Sequence, residues 1–318
     1  MTALLEPVTG GEPMSDARYV RRSLAALSTE LAAQGHHVCP STVAELLRPL
    51  GYHLYVNVKR FTGPDHPDRD RQFRYLQEQI RRFRDRGLPV ISVDTKKKEL
   101  IGDFKNPGAK RGLAPEQVNC HDFRQDAAYR AVPYGIYDLV ANRGHVCVGL
   151  SADTPAFAVA SIRTWWARLG CKRYGALTEL LILADAGGSN GCRPRLWKRE
   201  LQAFADYFGL VLTVGHYPTG ASKWNPVEHR LFGPISINWA GEPLRTLETM
   251  TGLIRGTTTA TGLRVSATVD PAPYATKVRV SDAEMAALHL DRHRVCPQWN
   301  YTIRPQYMAP SMNTQTWK

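Results

Sequence analysis

Leu180-Leu181-Ile182-Leu183-Ala184-Asp185, running directly into Ala186-Gly187-Gly188-Ser189-Asn190-Gly191, is the stretch on which the fold turns. Five apolar residues without polar alternation read as a strand buried on both faces, the signature of a central strand in an α/β sheet. The run ends on a carboxylate, at the strand end where open α/β sheets place their ligand sites. Leu88-Pro89-Val90-Ile91-Ser92-Val93-Asp94 repeats the pattern upstream.

The segments between and after these runs supply the rest of the order. Val132 to Val140 and His145 to Leu150 are β-rich and flank Asn142-Arg143-Gly144, as in a hairpin. Asp153 and Thr154 can cap a helix through Trp165, Trp166 and Leu169, with Gly170 as its stop. Beyond Asp185, Gly187-Gly188 permits a tight turn, and Ser189-Asn190-Gly191 is expected to open the next helix. That helix sets Trp197, Leu201, Phe204 and Phe208 on one face, and Leu210 to Val214 follows as another strand. Strand, hairpin, helix, strand, helix, strand, helix predicts an α/β fold with mixed pairing.

Farther out the signals are coarser. Residues 1–58 are expected to form a helix-turn-helix-like, DNA-binding module. One helix carries Val20, Leu24, Leu27 and Leu31 up to Gly35; a second, capped by Ser41, carries Val43, Leu46 and Leu47; His53 to Val58 serves as strand or wing. Arg18, Arg21, Arg22 and Arg48 lend it phosphate-contacting potential. Residues 59–87 read as a charged linker and helix, with Arg74, Arg81, Arg82, Arg84 and Arg86 as either a solvated face or a basic rail. A catalytic domain is expected over 88–255. Residues 256–318 are expected to pack on it as an extension, with a strand over Leu263 to Val269, a helix over Asp282 to Leu290 and irregular structure over Pro297 to Pro310.

Composition narrows the function. The 318 residues carry 41 Lys and Arg against 29 Asp and Glu, a net +12, with 43% hydrophobic residues, so the chain is globular and suited to a polyanionic partner. Over residues 1–90, 13 basic side chains face 10 acidic ones, which leaves nine of the twelve surplus charges to the later segments. No apolar run approaches a membrane span, and the first residues lack the features of a signal peptide, so a cytoplasmic location is expected. The six cysteines are scattered without metal-ligand spacing.

Asp94 and Asp185 are the first candidate site residues. Either alone suits a turn or a cap, but a pair at the ends of two buried strands points to a shared ligand, because an unpartnered buried charge is costly. Glu228 is the third, in Trp224-Asn225-Pro226-Val227-Glu228. Asn225 suits an N-cap and Pro226 the first helical position, which leaves Glu228 either as the partner in a capping box or as an acid turned back toward the strand ends. Three hard oxygen donors suit Mg²⁺, and two such ions suit phosphoryl transfer.

Val90 to Glu99, Asp138 to Gly149, Leu181 to Gly191 and His216 to Phe232 together resemble the Rhodopirellula-type DDE transposases, the ISAzo-thirteen insertion-sequence group, over Leu5 to Pro305. Trp224 to Glu228 is also similar to the Asn-Pro-x-Glu signature of mariner-like transposases. The resemblance implies a ribonuclease-H-like mixed sheet with flanking helices, and Asp94, Asp185 and Glu228 as catalytic, metal-binding triad. It implies two Mg²⁺ ions, with Mn²⁺ as substitute. The partners are transposon ends and target DNA, bound by a homo-oligomer near the nucleoid. Members carry more chain before Leu4-Leu5-Glu6-Pro7, so a copy shortened at its front is expected.

Around the triad, Lys96, Lys97 and Lys98 are expected to hold DNA phosphates. Lys223, Trp224, His216 and His229 are further candidates for nucleic-acid contact, each also readable as a solvated or packed residue. A ribonuclease-H-like nuclease that cuts without joining, and a non-catalytic DNA-binding relic, stay open as alternatives.

Overall fold

In the computed structural model, which describes residues 9–11, 18–20, 22–54, 66–112, 114–175, 177–221 and 224–306, the chain divides into two compact units, Met1–Thr62 and Gly63–Lys318. The first contains a short antiparallel ribbon, β1 (Thr9–Gly11) with β2 (Arg18–Val20), and two helices, α1 (Leu24–Ala33) and α2 (Pro40–Leu47). Leu27, Leu31 and Val43 form its small core with Val38, Leu47 and Tyr52 around them. Val20, expected on the first helix, belongs to β2, and Ser23 caps α1 by accepting the Ala26 N–H at 3.1 Å. Ser41 lies inside α2, which starts at Pro40 after Cys39, because proline suits the first helical position. Arg21 and positions 55–58 of the expected wing lie outside the described residues.

The second unit begins with α3 (Arg69–Asp85), then β3 (Val90–Thr95), β4 (Glu99–Ile101) and the hairpin β5 (Tyr129–Asp138) to β6 (Arg143–Gly149). Asn142 turns the hairpin with a positive φ of 51°, a conformation asparagine tolerates. Next come α4 (Pro155–Trp165), a wide π-helical turn, α5 (Cys171–Tyr174), β7 (Glu179–Asp185), α6 (Arg195–Phe208) and β8 (Val211–Tyr217). Thr154 caps α4, and the helical path continues past Gly170, the expected stop, to Gly175 at φ 55°. A π-turn over Glu228–Phe232 leads into α7 (Gly233–Asn238), followed by α8 (Leu247–Arg255), β9 (Arg264–Asp270), α9 (Asp282–Ala286), β10 (Leu290–Arg292) and β11 (Asn300–Ile303).

These strands form one nine-stranded sheet in the order β10-β11-β8-β7-β3-β5-β6-β9, with β4 paired to β5 off that path. The hairpin is antiparallel to β3, whereas β7 and β8 add in parallel on its other side, the ribonuclease-H-like mixed arrangement. One face is covered by α4 and α6, whose Phe157, Ile162, Trp197, Leu201 and Phe204 pack on Ile91, Val93, Ile182 and Val214. The opposite face carries α3 through Leu76 and Phe83, and the segment after Asn225 together with α8 through Leu231, Phe232, Met250 and Ile254. Each fully buried large apolar side chain contributes roughly 1.5–3 kcal/mol.

Two expected divisions differ from this sheet. The charged helix α3 belongs to the second unit, because Gln72, Leu76 and Phe83 are buried in it. Of residues 256–318, expected to pack on the catalytic domain as an extension, the described part joins the sheet: β9 extends it beside β6, and β10 and β11 extend it beside β8. Asn300–Ile303, read as irregular, is a buried strand.

Candidate active site

Parallel register brings the two strand-end aspartates together. Val93 is opposite Ala184, so Asp94 and Asp185 continue from facing positions at the same end of neighbouring central strands. Burial raises the Asp94 carboxyl to about 8, with further upward pressure from Asp185, Glu228 and Asp153; the Thr95 N–H, donating to Asp94 Oδ1 at 2.8 Å, opposes the rise. Asp185 is raised by burial and eased by its bond to Asn225, and Glu228 is raised by burial and by the charge of Asp185. These shifts share a physical origin: like charges gathered in a poorly solvated place favour a cation or a proton.

Asn225 does not act as the expected side-chain cap. Its amide nitrogen donates to Asp185 Oδ1 at 2.9 Å, and its amide oxygen accepts from the Ser92 hydroxyl. Ser92 in turn accepts the Val227 N–H at 3.0 Å, so a β3 side chain does the capping and frees Asn225 for the carboxylate. Asn225 and Ser92 are both fully buried. The capping-box role for Glu228 is likewise not taken up, since Glu228 makes no side-chain hydrogen bond among the described residues. Gly135, opposite Asp94 on β5, allows this segment to lie close, because a Cβ there would stand 2.5 Å from Phe232 and 3.1 Å from Val227.

The basic candidates separate. Lys96, Lys97 and Lys98 line a hollow of about 280 Å³ with Asp94, Thr95, Asp153, Gly188, Ser189 and Asn190. Lys96 is paired to Glu99 at 2.8 Å and lies 4.7 Å from the Trp239 ring centre, while Lys97 is exposed. Trp224 is 57% exposed and meets Phe73 edge-on, and His229 is exposed on the π-turn beside Glu228. Lys223 lies outside the described residues.

His216 has to be corrected as a DNA contact. It is completely buried on β8, with Nδ1 2.9 Å from the Asp185 carbonyl oxygen and Nε2 3.2 Å from the Tyr301 hydroxyl. A carbonyl only accepts, so Nδ1 carries the proton and Nε2 accepts from Tyr301, which itself accepts from Trp197 Nε1 at 2.8 Å. Burial lowers the imidazole to about 4, keeping it neutral. The loop Ser189-Asn190-Gly191 is a second correction: α6 begins only at Arg195, so the loop walls the hollow instead of opening a helix.

Sequence reasoning missed Ser92, which carries no signal of its own within an apolar run, and Gly135, whose importance lies in a contact 97 positions away along the chain at Phe232. The donor set fits a hard divalent ion in chemistry: three carboxylates, all raised, with an amide steering one of them. Among the described residues, no three His, Cys, Asp or Glu side chains are drawn together closely enough to form a ready-made ligand cluster. No helix among them is long and apolar enough to cross a membrane.

The chain is similar in fold to solved structures of Mos1 transposase. The complex titled Mos1 transposase paired-end complex with left transposon end is 15% identical, covering 79% of this chain and 67% of that chain at a TM-score of 0.43. The Mos1 mariner paired end complex with Mn is 13% identical, covering 76% and 71% at 0.43. The Mos1 strand transfer complex is 16% identical, covering 76% and 70% at 0.41. No curated protein matches the sequence. The family model for the Rhodopirellula transposase DDE domain matches residues 1–305, and the chain belongs to that transposase family.

Proposed function

We propose that the protein is a divalent-metal-dependent DNA transposase that hydrolyses the phosphodiester at transposon ends and then joins the freed 3′-hydroxyl to target DNA. The observation that supports this most is the register of β3 with β7, which sets Asp94 beside Asp185, together with the amide of Asn225 that ties Asp185 to the segment bearing Glu228. In this reading Asp94, Asp185 and Glu228 hold two Mg²⁺ ions, for which Mn²⁺ can substitute. Bound there, the ions would activate water or a 3′-hydroxyl and stabilise the leaving oxygen.

The chain's own residues do the positioning. Asn225 fixes the Asp185 carboxylate, and Ser92 fixes Asn225 with its oxygen turned inward and its nitrogen toward the acid. Lys97 and Lys98 hold the DNA backbone over the hollow, and Lys96, neutralised in part by Glu99, adds positive potential beside Glu228. Trp224 offers an exposed ring face for an unpaired base, and His229 and Lys223 extend the contact with the strand. Residues 1–62 bind DNA as a separate unit, and the active form is a homo-oligomer assembled on it.

Incubation of wild type and Asp185→Asn with end-containing DNA, in Mg²⁺ and in Ca²⁺, tests the reading. Cleavage and joined products are expected from wild type in Mg²⁺ alone, with loss of both in the variant by at least about a hundredfold. Equal activity in the variant refutes the triad. Cleavage without joined products moves the protein to the nuclease class.

A further inference from the structure

Among the described residues, two buried side-chain polar atoms lack a hydrogen-bond partner, Tyr134 Oη and Asn190 Oδ1. Asn190 borders the hollow beside Asp94, and Tyr134 pairs across the sheet with Thr95 of its wall. Asn190, 1% exposed, lines the hollow with Asp94 and Asp153, and the ionisation of the Tyr134 hydroxyl is opposed by the charges of Asp94 and Asp153. Buried polar atoms are nearly always hydrogen-bonded, so each orphan calls for a partner, and a water or an ion is one that fits beside carboxylates. Tyr134 is completely buried on β5, opposite Thr95.

Asp153 lies outside the proposed triad. It precedes the Thr154 cap of α4, and Thr95 Oγ1 donates to its Oδ1 at 3.2 Å while standing 3.4 Å from Ser189 Oγ. That bond uses one carboxylate oxygen, and no bond among the described residues uses Oδ2. Thr95 thus ties the end of β3, the entry to α4 and the loop after β7 into one wall. Asp94, Asp153 and Asn190 present hard oxygen acceptors to this hollow; Thr95 donates to one oxygen of each carboxylate, and Asn190 Oδ1 receives no donor.

We propose that Asp153 is a fourth acidic residue of the cation site, holding a hydrated divalent ion jointly with Asp94 while Asn190 Oδ1 accepts from an ion-bound water. One or two carboxylates with several retained waters is the usual way a protein holds Mg²⁺, so a pair suffices where three clustered ligands are absent. The orphan Tyr134 hydroxyl donates to the same water shell, which gives both unpaired atoms a partner. Asp153 stands at the entry to α4, which packs on one face of the sheet, whereas Glu228 follows Val227, which packs on the other. The inference rests on the metal-dependent reading for Asp94 but not on Asp185 or Glu228.

Titration of the metal-free full chain with Mn²⁺, followed by the electron paramagnetic resonance signal of the free ion and without DNA, separates the two. Asp153→Asn keeps the acceptor for Thr95 and is expected to bind Mn²⁺ at least tenfold more weakly or with one ion fewer, whereas Asp153→Glu stays within a few-fold of wild type. Thermal melting in EDTA checks folding, and Asp153→Ser replaces Asp153→Asn should the latter not melt cooperatively. Unchanged Mn²⁺ stoichiometry and affinity in the folded neutral variant overturn the assignment of Asp153. Unchanged binding in Asp185→Asn, with loss in Asp153→Asn, would overturn the triad and leave this assignment standing.

Discussion

Replacing Asp94 by Asn should make the metal-free protein more stable while abolishing its chemistry. Asp94 ionises at about 8 in the folded chain against 3.8 for the unperturbed group, chiefly because burial disfavours the charge and Asp185 repels it. A raised carboxyl favours folding fully below the unperturbed value and loses that contribution as pH climbs through the folded one. At pH 7 the folded state has therefore lost up to ~4 kcal/mol at this residue, taking 1.36 kcal/mol per pH unit above 3.8. Side-chain relaxation and entering water reduce that ceiling, so a gain of at least ~1 kcal/mol is expected for the neutral isostere, which keeps the bond from the Thr95 N–H. For a unit of this size that corresponds to about 2–4 °C per kcal/mol in Tm. The assay is thermal unfolding in EDTA from pH 4 to pH 8. The variant should match wild type near pH 4 and lead increasingly toward pH 8, and saturating Mn²⁺ should close the gap by stabilising wild type alone. A difference that is constant with pH, or a variant less stable at pH 8, refutes the electrostatic account of this site.

Three further outcomes follow from the same geometry. Ser92→Ala leaves the Val227 N–H and the Asn225 oxygen without their partner, so unfolding free energy should fall by about 1–3 kcal/mol and DNA cleavage should fall with it. Unchanged cleavage would show that Asn225 holds Asp185 without help. Gly135→Ala forces a methyl to 2.5 Å from Phe232 and should cost about 1–3 kcal/mol in denaturant unfolding, with end cleavage reduced although all three acids remain. His216→Asn removes a group whose folded value near 4 lies below its ordinary 6.5. Such a histidine supports folding above 6.5 and loses that support as pH falls toward 4, by about 2 kcal/mol at pH 5. The variant should accordingly show a shallower acid loss between pH 6.5 and 4 in urea titrations, and equal slopes would exclude His216 from that loss.

What could be read from the chain depended on how local the cause was. Largely apolar runs ending in Asp94 and Asp185 announce central strands because burial on both faces is written into consecutive side chains. Asn142 announces its hairpin through backbone conformation. Asn225 was ambiguous because an asparagine before proline reads the same whether its side chain caps a helix or holds an acid; only Ser92, 133 positions earlier, takes over the cap and decides between them. The burial of His216 is not legible locally because Tyr301 and Asn300, which seal it, arrive on a strand some 85 positions later. Asp153 resembled a cap residue, and its neighbour Thr154 is the one that caps.

The late strands carry a consequence for how the protein is made. All three acids, and every central strand between β6 and β8, are synthesised before residue 264. Until then both rims of the sheet, β6 on one side and β8 on the other, present unsatisfied backbone amides and carbonyls. A single stretch, Arg264 to Ile303, shields both. An unfinished polypeptide therefore carries the whole candidate catalytic set yet remains open to strand-to-strand association along two seams. The cover over β6 and β8, in this chain, is supplied by one stretch that follows the whole candidate site in sequence.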